Sequence, residues 1–443
     1  MRLRPARRPE RITRPVMSSR DARPVSAEPV STDPDLSGKA AGTLTGVRVI
    51  EVGRFASAPS CATLLADWGA EVIKVEPLSG DPARGPGSVS GSDVNPRFDV
   101  HNRSRRSIAV DLQHPEGVAV LRRLLLSADV FVTNLRPGSL RRLGLDARTL
   151  RAQFPRLVIA QITGYGIDTS HADDRSYDHG AFWSYAGVGT MFAQRDGDTP
   201  VAAGGFGDRA AGSMLAGAIC AALYQVTRSG VGSYVTTSLV HAGVWLAASD
   251  LSDELAAPGR SGPRLRNEAP IPTLNCFRTA DGRWLWLQVM LPERDWPRLA
   301  AALEAPWLDE DPRFRGGAAA KLAAVRDVLV ETFDEIFRRK SLAEWATRLT
   351  AYDITWSPVR TLSEVAADPE LRDTSAFVKV VDRSGETHLS VNTPCTFHGA
   401  PTPRATSAPG VGEHSDEILR ELGYLDVEIT ELHKLSLIGE PTT

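Results

Sequence analysis

The alternation of strand-like and helix-like segments from residue 46 to 164 constrains the fold more than any other feature. The β-branched run GVRVIEVG at 46–53 is typical of a buried strand, and EVIKVE at 71–76 is a second one. Between them Pro59 opens a helix that Gly69 ends. This βαβ unit predicts a parallel sheet with a right-handed crossover.

The same alternation continues, with strand-like segments at 101–112, 129–134, 157–164 and 233–239. We therefore expect an α/β fold with a doubly wound, mostly parallel, Rossmann-like sheet, in which ligands bind outside the carboxyl ends of the strands. A dinucleotide oxidoreductase is disfavoured. Its glycine-rich turn should follow the first strand, and the chain reads RFASAPS there.

Composition changes along the chain predict its domains. Residues 1–43 are rich in arginine and proline, without apolar periodicity, and we expect them to be disordered. Residues 44–228 are assigned to the first part of a large α/β domain and 229–261 to a linker strand and helix. Residues 262–356 are assigned to a smaller α+β domain, and 357–443 to a linker and the C-terminal part of the large domain.

Charge and cysteine content exclude several classes of function. The net charge is -3, which gives no reason to expect a nucleic-acid partner. No apolar run is judged long enough to span a membrane, so no membrane partner is expected. The four cysteines are far apart and have no metal-ligand spacing, which predicts reduced thiols in a cytoplasmic protein and no metal site.

The stretch GGFGDRAAGSML at 204–215 places one carboxylate, Asp208, on a glycine-rich bend before a small-residue helix. Exposed backbone N–H groups and the helix dipole favour the ionised form there. Gly205 and Gly207 allow a sharp turn and a close approach of a ligand. Asp208 is thus a candidate nucleophile, and the alternative, favoured by this stretch alone, is that it only caps the helix.

Two further groups of residues remain ambiguous on spacing alone. The first group follows a predicted strand end and consists of Asn134, Arg136 and Arg142. These side chains would either bind a phosphate or be solvated on the surface. Phe182, Trp183 and Tyr185 would either pack in a core, which is the default, or line an apolar pocket.

Eight segments, in order, carry a resemblance to a known family. They are GVRVIEVGRFASAP, LADWGAEVIKVEP, NRSRRSIAVDL, VTNLRPGSLRRLGL, PRLVIAQITGYG, FGDRAAGSMLA, SYVTTSL and GEHSDEILRELG. Together they resemble the class III CoA-transferases of the CaiB/BaiF type, whose relatives include α-methylacyl-CoA racemases.

This resemblance implies two-domain subunits that interlock as a homodimer, acting on an acyl-CoA and a small carboxylic acid. It implies CoA as substrate and no permanently bound cofactor. The pair Gly207-Asp208 matches the family's catalytic Gly-Asp pair, so Asp208 is implied to be the nucleophile. Further matches imply CoA contacts at a set of positions: Arg54, Asn134, Leu135, Arg142, Leu143 and Arg175.

The racemases use the matching aspartate with a histidine in a Gly-His-Asp sequence. This chain has Ser176-Tyr177-Asp178 instead, and a tyrosine with a pKa near ~10 is a poor base at neutral pH. His179 lies two positions away from the family histidine. We therefore expect a transferase supported by Tyr177 and Asp178, with a racemase and a non-catalytic CoA-binding protein as alternatives.

One departure concerns the formyl-CoA transferases in particular. Some members carry a long glycine-rich loop that closes over the aspartate. Between Leu246 and Glu268 this chain offers only the segment ELAAPGRSGPRLRN. This departure counts against a formyl-CoA transferase. The segment YDHGAFW at 177–183 instead resembles transferases that act on hydroxy, unsaturated or aryl carboxylic acids.

Overall fold

The computed structural model describes residues 42–85, 95–193, 202–259, 262 and 265–439. The predicted disorder of residues 1–43 falls almost entirely outside these ranges. So does part of the segment between Leu246 and Glu268.

Six parallel strands form the main sheet, which confirms the predicted α/β sheet. They are β1 (Arg48–Val52), β2 (Glu71–Glu76), β3 (Arg106–Ala109), β4 (Val130–Thr133), β5 (Val158–Thr163) and β6 (Tyr234–Ser238). Their spatial order is β3-β2-β1-β4-β5-β6. The winding direction reverses between β1 and β4, and that reversal leaves a crevice at their carboxyl ends.

Half of the helices in the described ranges begin at a proline or just after a residue whose side chain caps them. In chain order the helices are α1 (Ser57–Asp67), α2 (Pro96–Asn102), α3 (Pro115–Leu125), α4 (Pro137–Leu143), α5 (Ala147–Gln153), α6 (Val188–Met191), α7 (Phe206–Ser229), α8 (Leu239–Leu246), α9 (Ala248–Ala256), α10 (Pro292–Ala302), α11 (Trp307–Glu310), α12 (Ala319–Ala324), α13 (Arg326–Phe337), α14 (Leu342–Ala351), α15 (Leu362–Ala367), α16 (Pro369–Asp373), α17 (Ser415–Glu421) and α18 (Asp426–Lys434).

Both faces of the main sheet are covered, because neighbouring residues of each strand enter different cores. Val49 and Val130 pack on the face that α1 and α7 cover. Ile50 and Phe131 pack on the opposite face, with Leu121 of α3. Strands buried on both sides read as continuous apolar runs, which is why GVRVIEVG shows no polar alternation.

Helix α7 is the longest near the sheet and lies directly against α1. A Cβ on Gly212 would lie 2.8 Å from the carbonyl oxygen of Ser57, so only glycine permits this approach. By length and composition alone α7 could also cross a membrane, which corrects the expectation that no segment reaches that length. Its residues Leu215 and Ile219 are buried in the core beside the sheet, as in a core helix.

A second, antiparallel sheet lies in residues 274–358. It consists of β7 (Leu274–Arg278), β8 (Trp284–Gln288) and β9 (Trp356–Pro358) in that order. Its core is aromatic, with Trp296 and Trp345 fully buried. The indole N–H of Trp345 donates to the carbonyl of Phe337 at 2.8 Å, so burial leaves this donor satisfied.

The last part of the chain contains a three-stranded sheet of β10 (Phe377–Val381), β11 (Thr387–Val391) and β12 (Ala405–Thr406). Ile418 of α17 and Ile429 of α18 enter the core on the α3 side of the main sheet. Arg106 of β3 donates to Glu421 at 2.7 Å and forms an ion pair with it. Arg106 therefore holds α17 against the sheet.

Several segments differ from what their sequence pattern predicts. Ser415 has the residue type of an N-cap, but α17 begins at Ser415 itself, and its Oγ accepts from the Ala109 N–H at 3.3 Å. Residues 136–145, whose proline and glycine predict a turn, contain α4, which ends at Gly144 in the left-handed conformation. The helical pattern of residues 318–338 is divided into α12 and α13. The segment 166–203, whose pattern predicts mostly loop, contains in its described part a π-helical turn at His179–Tyr185 and α6.

Candidate active site

A cavity of about 840 Å³ lies at the carboxyl ends of the main-sheet strands, where β1 and β4 meet. This is the position that the reversal of winding predicts. Every candidate CoA-contact residue lines it, together with Tyr177 and Asp208; the CoA-contact set is Arg54, Asn134, Leu135, Arg142, Leu143 and Arg175. The fold therefore brings together residues that are up to 154 positions apart in the sequence, from Arg54 to Asp208.

Arginines supply the positive charge of this cavity. Arg54, Arg142 and Arg175 are exposed, and within the described ranges none of them is ion-paired. The Arg142 side chain donates to the Ser139 hydroxyl at 3.0 Å. By contrast, Arg136 donates to the carbonyl of Asp173 at 2.7 Å. Three cations without a carboxylate partner leave donors available for phosphate oxygens.

Asn134 joins the two central loops. Its side-chain oxygen accepts from the Arg54 N–H at 3.0 Å, and its amide donates to the Arg54 carbonyl at 2.7 Å. The same amide donates to Ser57 at 3.0 Å. The side chain thus fixes the loop after β1 while also lining the cavity, so its position beside a ligand is set by backbone partners.

Asp208 lies at the start of α7, at the cavity wall. Gly205 is the N-cap residue, with φ +76°, and Asp208 is the third residue of the helix. The reading of Asp208 as the N-cap is therefore wrong, and no side chain caps this helix. Gly205 supplies the left-handed turn that a residue with a Cβ adopts only with strain.

The carboxylate of Asp178 lies directly beside this turn. It is 3% exposed, and neither of its carboxylate oxygens has a hydrogen-bond partner among the described residues. A Cβ on Gly207 would lie 2.4 Å from its Oδ1 and 2.2 Å from Cγ of Phe182. Gly207 is required because Asp178 and Phe182 occupy the space a side chain would need.

Burial, and then the charge of Asp178, raise the pKa of Asp208 to about 6. Arg209 and His179 oppose this rise. The sequence-based expectation that the helix start favours ionisation is thus wrong in its net direction, because desolvation and a second carboxylate outweigh it. A carboxylate with this pKa is still mostly ionised at neutral pH and is more basic than an ordinary aspartate.

Tyr177 and His179 flank Asp178 and differ in their surroundings. The Tyr177 ring is 65% exposed and lies edge-to-face against Phe55, with ring centroids 5.6 Å apart. His179 donates from Nε2 to the carbonyl of Ala202 at 3.1 Å, since a carbonyl only accepts. Phe182 is fully buried, as the core-packing reading predicts, while Tyr185 is exposed.

Comparison with known proteins decides the family. The model of CoA-transferase family III matches residues 44–415. This chain belongs to CoA-transferase family III. As a member, it is an enzyme that transfers CoA between an acyl-CoA and a carboxylic acid.

The relatives of this family III CoA-transferase include proteins with named substrates. It is 32% identical over 390 residues to the (R)-2-hydroxy-4-methylpentanoate CoA-transferase of Clostridioides difficile, covering 87% of this chain and 97% of that protein. It is 31% identical over 401 residues to the cinnamoyl-CoA:phenyllactate CoA-transferase of Clostridium sporogenes, covering 88% and 96%. A CaiB/BaiF family structure from Brucella suis superimposes with a TM-score of 0.75 and 28% identity, covering 86% and 100%.

Two residues of the transferase were not predicted from the sequence: Arg209, next to Asp208 in the chain, and its partner His101. His101 is buried and accepts at Nε2 from Arg209, 3.5 Å away, because its Nδ1 donates to the carbonyl of Arg97 at 2.9 Å. Burial and then Arg209 lower the pKa of His101 to about 4, so the ring is neutral at pH 7. Arg209 follows Asp208 in the same motif, which was a signal available in the sequence; His101 offered none.

Proposed function

We propose that this transferase moves CoA through covalent intermediates on Asp208. The Asp208 carboxylate attacks the thioester carbonyl of the donor acyl-CoA, the carbon–sulfur bond breaks, and CoA leaves as its thiolate. The product is an aspartyl-acyl anhydride. The thiolate then attacks the Asp208 carbonyl carbon, forming an aspartyl-CoA thioester and releasing the donor acid as its carboxylate.

The second half runs the same chemistry in reverse. The acceptor carboxylate attacks the aspartyl-CoA thioester, which gives a second anhydride and free CoA thiolate. The thiolate attacks the carbonyl carbon of the acceptor, so that the new acyl-CoA leaves and Asp208 returns to a carboxylate. No net proton is taken up or released, and one thioester bond replaces another.

One observation carries this proposal: Asp208 opens into the same cavity as the unpaired arginines Arg54, Arg142 and Arg175. Phosphates held by these arginines would fix the nucleotide of CoA, with Leu135 and Leu143 as apolar contacts. The pantetheine arm then has to reach Asp208 through the cavity. With a pKa of about 6, Asp208 is about nine-tenths ionised at pH 7 and available to attack.

The surrounding residues support the intermediates. Backbone N–H groups near Gly205 and Gly207 would stabilise the oxyanion formed on each attack. The negative charge of Asp178 raises the pKa of Asp208, so the Asp208 carboxylate is more basic than an ordinary aspartate. Tyr177 lines the cavity and is 65% exposed, so its ring and hydroxyl are accessible to the acid.

A racemase-like activity is the second candidate, because His179 is near enough to Asp208 to lower its pKa. We expect transfer to dominate, since His179 donates to the Ala202 carbonyl and Tyr177 stands at the position of the racemase histidine. Exchange of an α-proton of an acyl-CoA with deuterated solvent, without any acceptor acid, would favour the racemase instead.

For the assembly we propose an interlocked homodimer of two-domain subunits acting in the cytoplasm. Support comes from exposed apolar side chains on α8 and α9, with Trp245 70% exposed and Leu255 84% exposed. A surface with such residues fits a protein interface. Light scattering after gel filtration should give twice the subunit mass of 47.8 kDa, and a monomer at micromolar concentration would contradict the dimer.

Substitution of the nucleophile tests the mechanism. Asp208→Asn and Asp208→Ala should lower the transfer rate by several orders of magnitude, while Asp373→Asn, an exposed aspartate of α16, should leave it unchanged. The relatives suggest the donors and acceptors for the panel: aryl, unsaturated and branched 2-hydroxy acids and their CoA esters. Wild-type rates in either Asp208 variant would contradict a covalent role.

A further inference from the structure

Phe55 has an unusual backbone conformation for its residue type. It follows β1 and has φ +61°, in the left-handed region that phenylalanine rarely adopts. Its side chain is nevertheless 41% exposed and lines the cavity. A bulky residue kept in such a conformation, with its ring outside the core, points to a function for the ring.

Hydrogen bonds from two separate residues, Asp81 and Asn134, hold this conformation. The Phe55 N–H donates to Oδ1 of Asp81 at 3.1 Å. Asp81 is 2% exposed and its Oδ2 lies 3.0 Å from Nζ of the buried Lys74. On the other side, Asn134 fixes the backbone of Arg54 through both of its side-chain atoms. The backbone of Phe55 is therefore set by Asp81, which also accepts from the Ala83 N–H at 3.0 Å, and by the Arg54 contacts of Asn134.

The ring of Phe55 lies at the Asp208 end of the cavity. Ala56, the next residue, would lie 4.0 Å from a Cβ on Gly205. Phe55 also packs against Tyr177, and the residue after Tyr177 is Asp178, which lies against Gly207. Both rings are thus one residue away from groups that touch the bend carrying Asp208. The arginines, in contrast, supply the charged part of the same cavity.

We propose that Phe55 determines acyl specificity, forming with Tyr177 an aromatic wall against which the acyl group of the donor and the acceptor packs. This rests on the proposed function. The chemical class that fits is a carboxylic acid with an aryl, conjugated or branched apolar group, in preference to a formyl or acetyl group. A planar or bulky group gains contact with two exposed rings, whereas a one- or two-carbon acyl group cannot reach across both.

Isotope exchange tests the proposal without knowledge of the natural acceptor. Cinnamoyl-CoA is incubated with ¹³C-cinnamate, and acetyl-CoA with ¹³C-acetate, and label entering the CoA ester is followed by mass spectrometry. Each acid serves as the acceptor for its own CoA ester. The wild type should exchange the cinnamoyl pair with the higher kcat/KM.

Phe55→Gly removes the ring but suits the left-handed conformation, so the loop should keep its path. It should lower the ratio of cinnamoyl to acetyl exchange by at least about tenfold, since pocket contacts of this size discriminate by that much. Phe55→Leu, which keeps the bulk, should restore part of the ratio. Phe192→Ala is the matched control, because Phe192 is 64% exposed and packs on Trp183.

Three results would overturn the proposal: an equal fall for both pairs in Phe55→Gly, a wild type that prefers acetyl-CoA, or the same change of ratio in Phe192→Ala. An equal fall would place Phe55 against the pantetheine arm, which all donors share. Failure of the wild type to exchange either pair would instead count against the proposed transferase mechanism. If Phe55→Gly is insoluble, the ratio in Phe55→Leu decides.

Discussion

Replacing the proposed nucleophile should stabilise the protein at neutral pH. Asp208 has its pKa raised from 3.8 to about 6 by burial and by Asp178. Because the pKa is higher in the folded than in the unfolded state, the folded protein is most stable with Asp208 protonated, and this stability is fully present below pH 3.8. It is lost as the pH rises through about 6. Asp208→Asn carries no charge, so it cannot lose this stability.

The magnitude follows from the pKa. Each pKa unit corresponds to about 1.4 kcal/mol. Relative to a side chain that stays neutral, the raised pKa of Asp208 therefore lowers the free energy of unfolding by about 3 kcal/mol at pH 7 and about 1.5 kcal/mol at pH 5. The free energy of unfolding of Asp208→Asn should exceed that of the wild type by these amounts, with the difference shrinking as the pH falls.

Urea unfolding followed by tryptophan fluorescence at pH 7 and pH 5 measures this difference, with Asp373→Asn as the exposed control. Asp208→Asn should unfold at a higher urea midpoint than the wild type at pH 7, with a smaller gain at pH 5. A variant no more stable than the wild type at pH 7, or a gain that does not change with pH, would refute the raised pKa. The control should show neither effect.

Three further predictions concern the same site. Asp178→Asn removes the negative charge beside Asp208, so the acid limb of the kcat/KM profile, expected near pH 6 in the wild type, should move to lower pH; an unmoved limb would show that Asp178 does not act on Asp208. Gly207→Ala places a methyl group 2.2 Å from Cγ of Phe182 and should cost about 1–3 kcal/mol of stability, together with most of the activity, measured by urea unfolding and initial rates. Arg142→Ala should raise the KM for acyl-CoA with little change in kcat, as removal of a binding contact does, and an unchanged KM at low salt would exclude a phosphate contact.

The sequence predicts the sheet and the position of its ligand site because both follow from local patterns. The β-branched runs ending at Val52 and Thr133 identify two strands, and the alternation with helices makes them parallel. Their adjacency places Arg54 beside Asn134, 80 positions later, at one edge of the sheet. The rules of winding place both loops at the carboxyl edge of the sheet, whereas the adjacency of β1 and β4 is known from the structure.

The electrostatic state of Asp208 was not predictable in the same way. A helix start alone argues for a lowered pKa, and the opposite result depends first on the burial of Asp208 and then on the charge of Asp178, which precedes it by 30 positions. The left-handed conformation of Phe55 depends likewise on Asp81, a residue without a local signal. Contacts between separate loops decide both cases, and periodicity contains no information about them.

The most direct test of the central claim is to capture the intermediate on Asp208. The enzyme is incubated with acyl-CoA in the absence of an acceptor, treated with hydroxylamine, digested and mapped by mass spectrometry. A nucleophilic Asp208 should become a hydroxamate in the peptide containing GGFGDRAAGSML, and only when acyl-CoA is present. An unmodified Asp208 from enzyme that is turning over, or the same hydroxamate on another carboxylate, would contradict it.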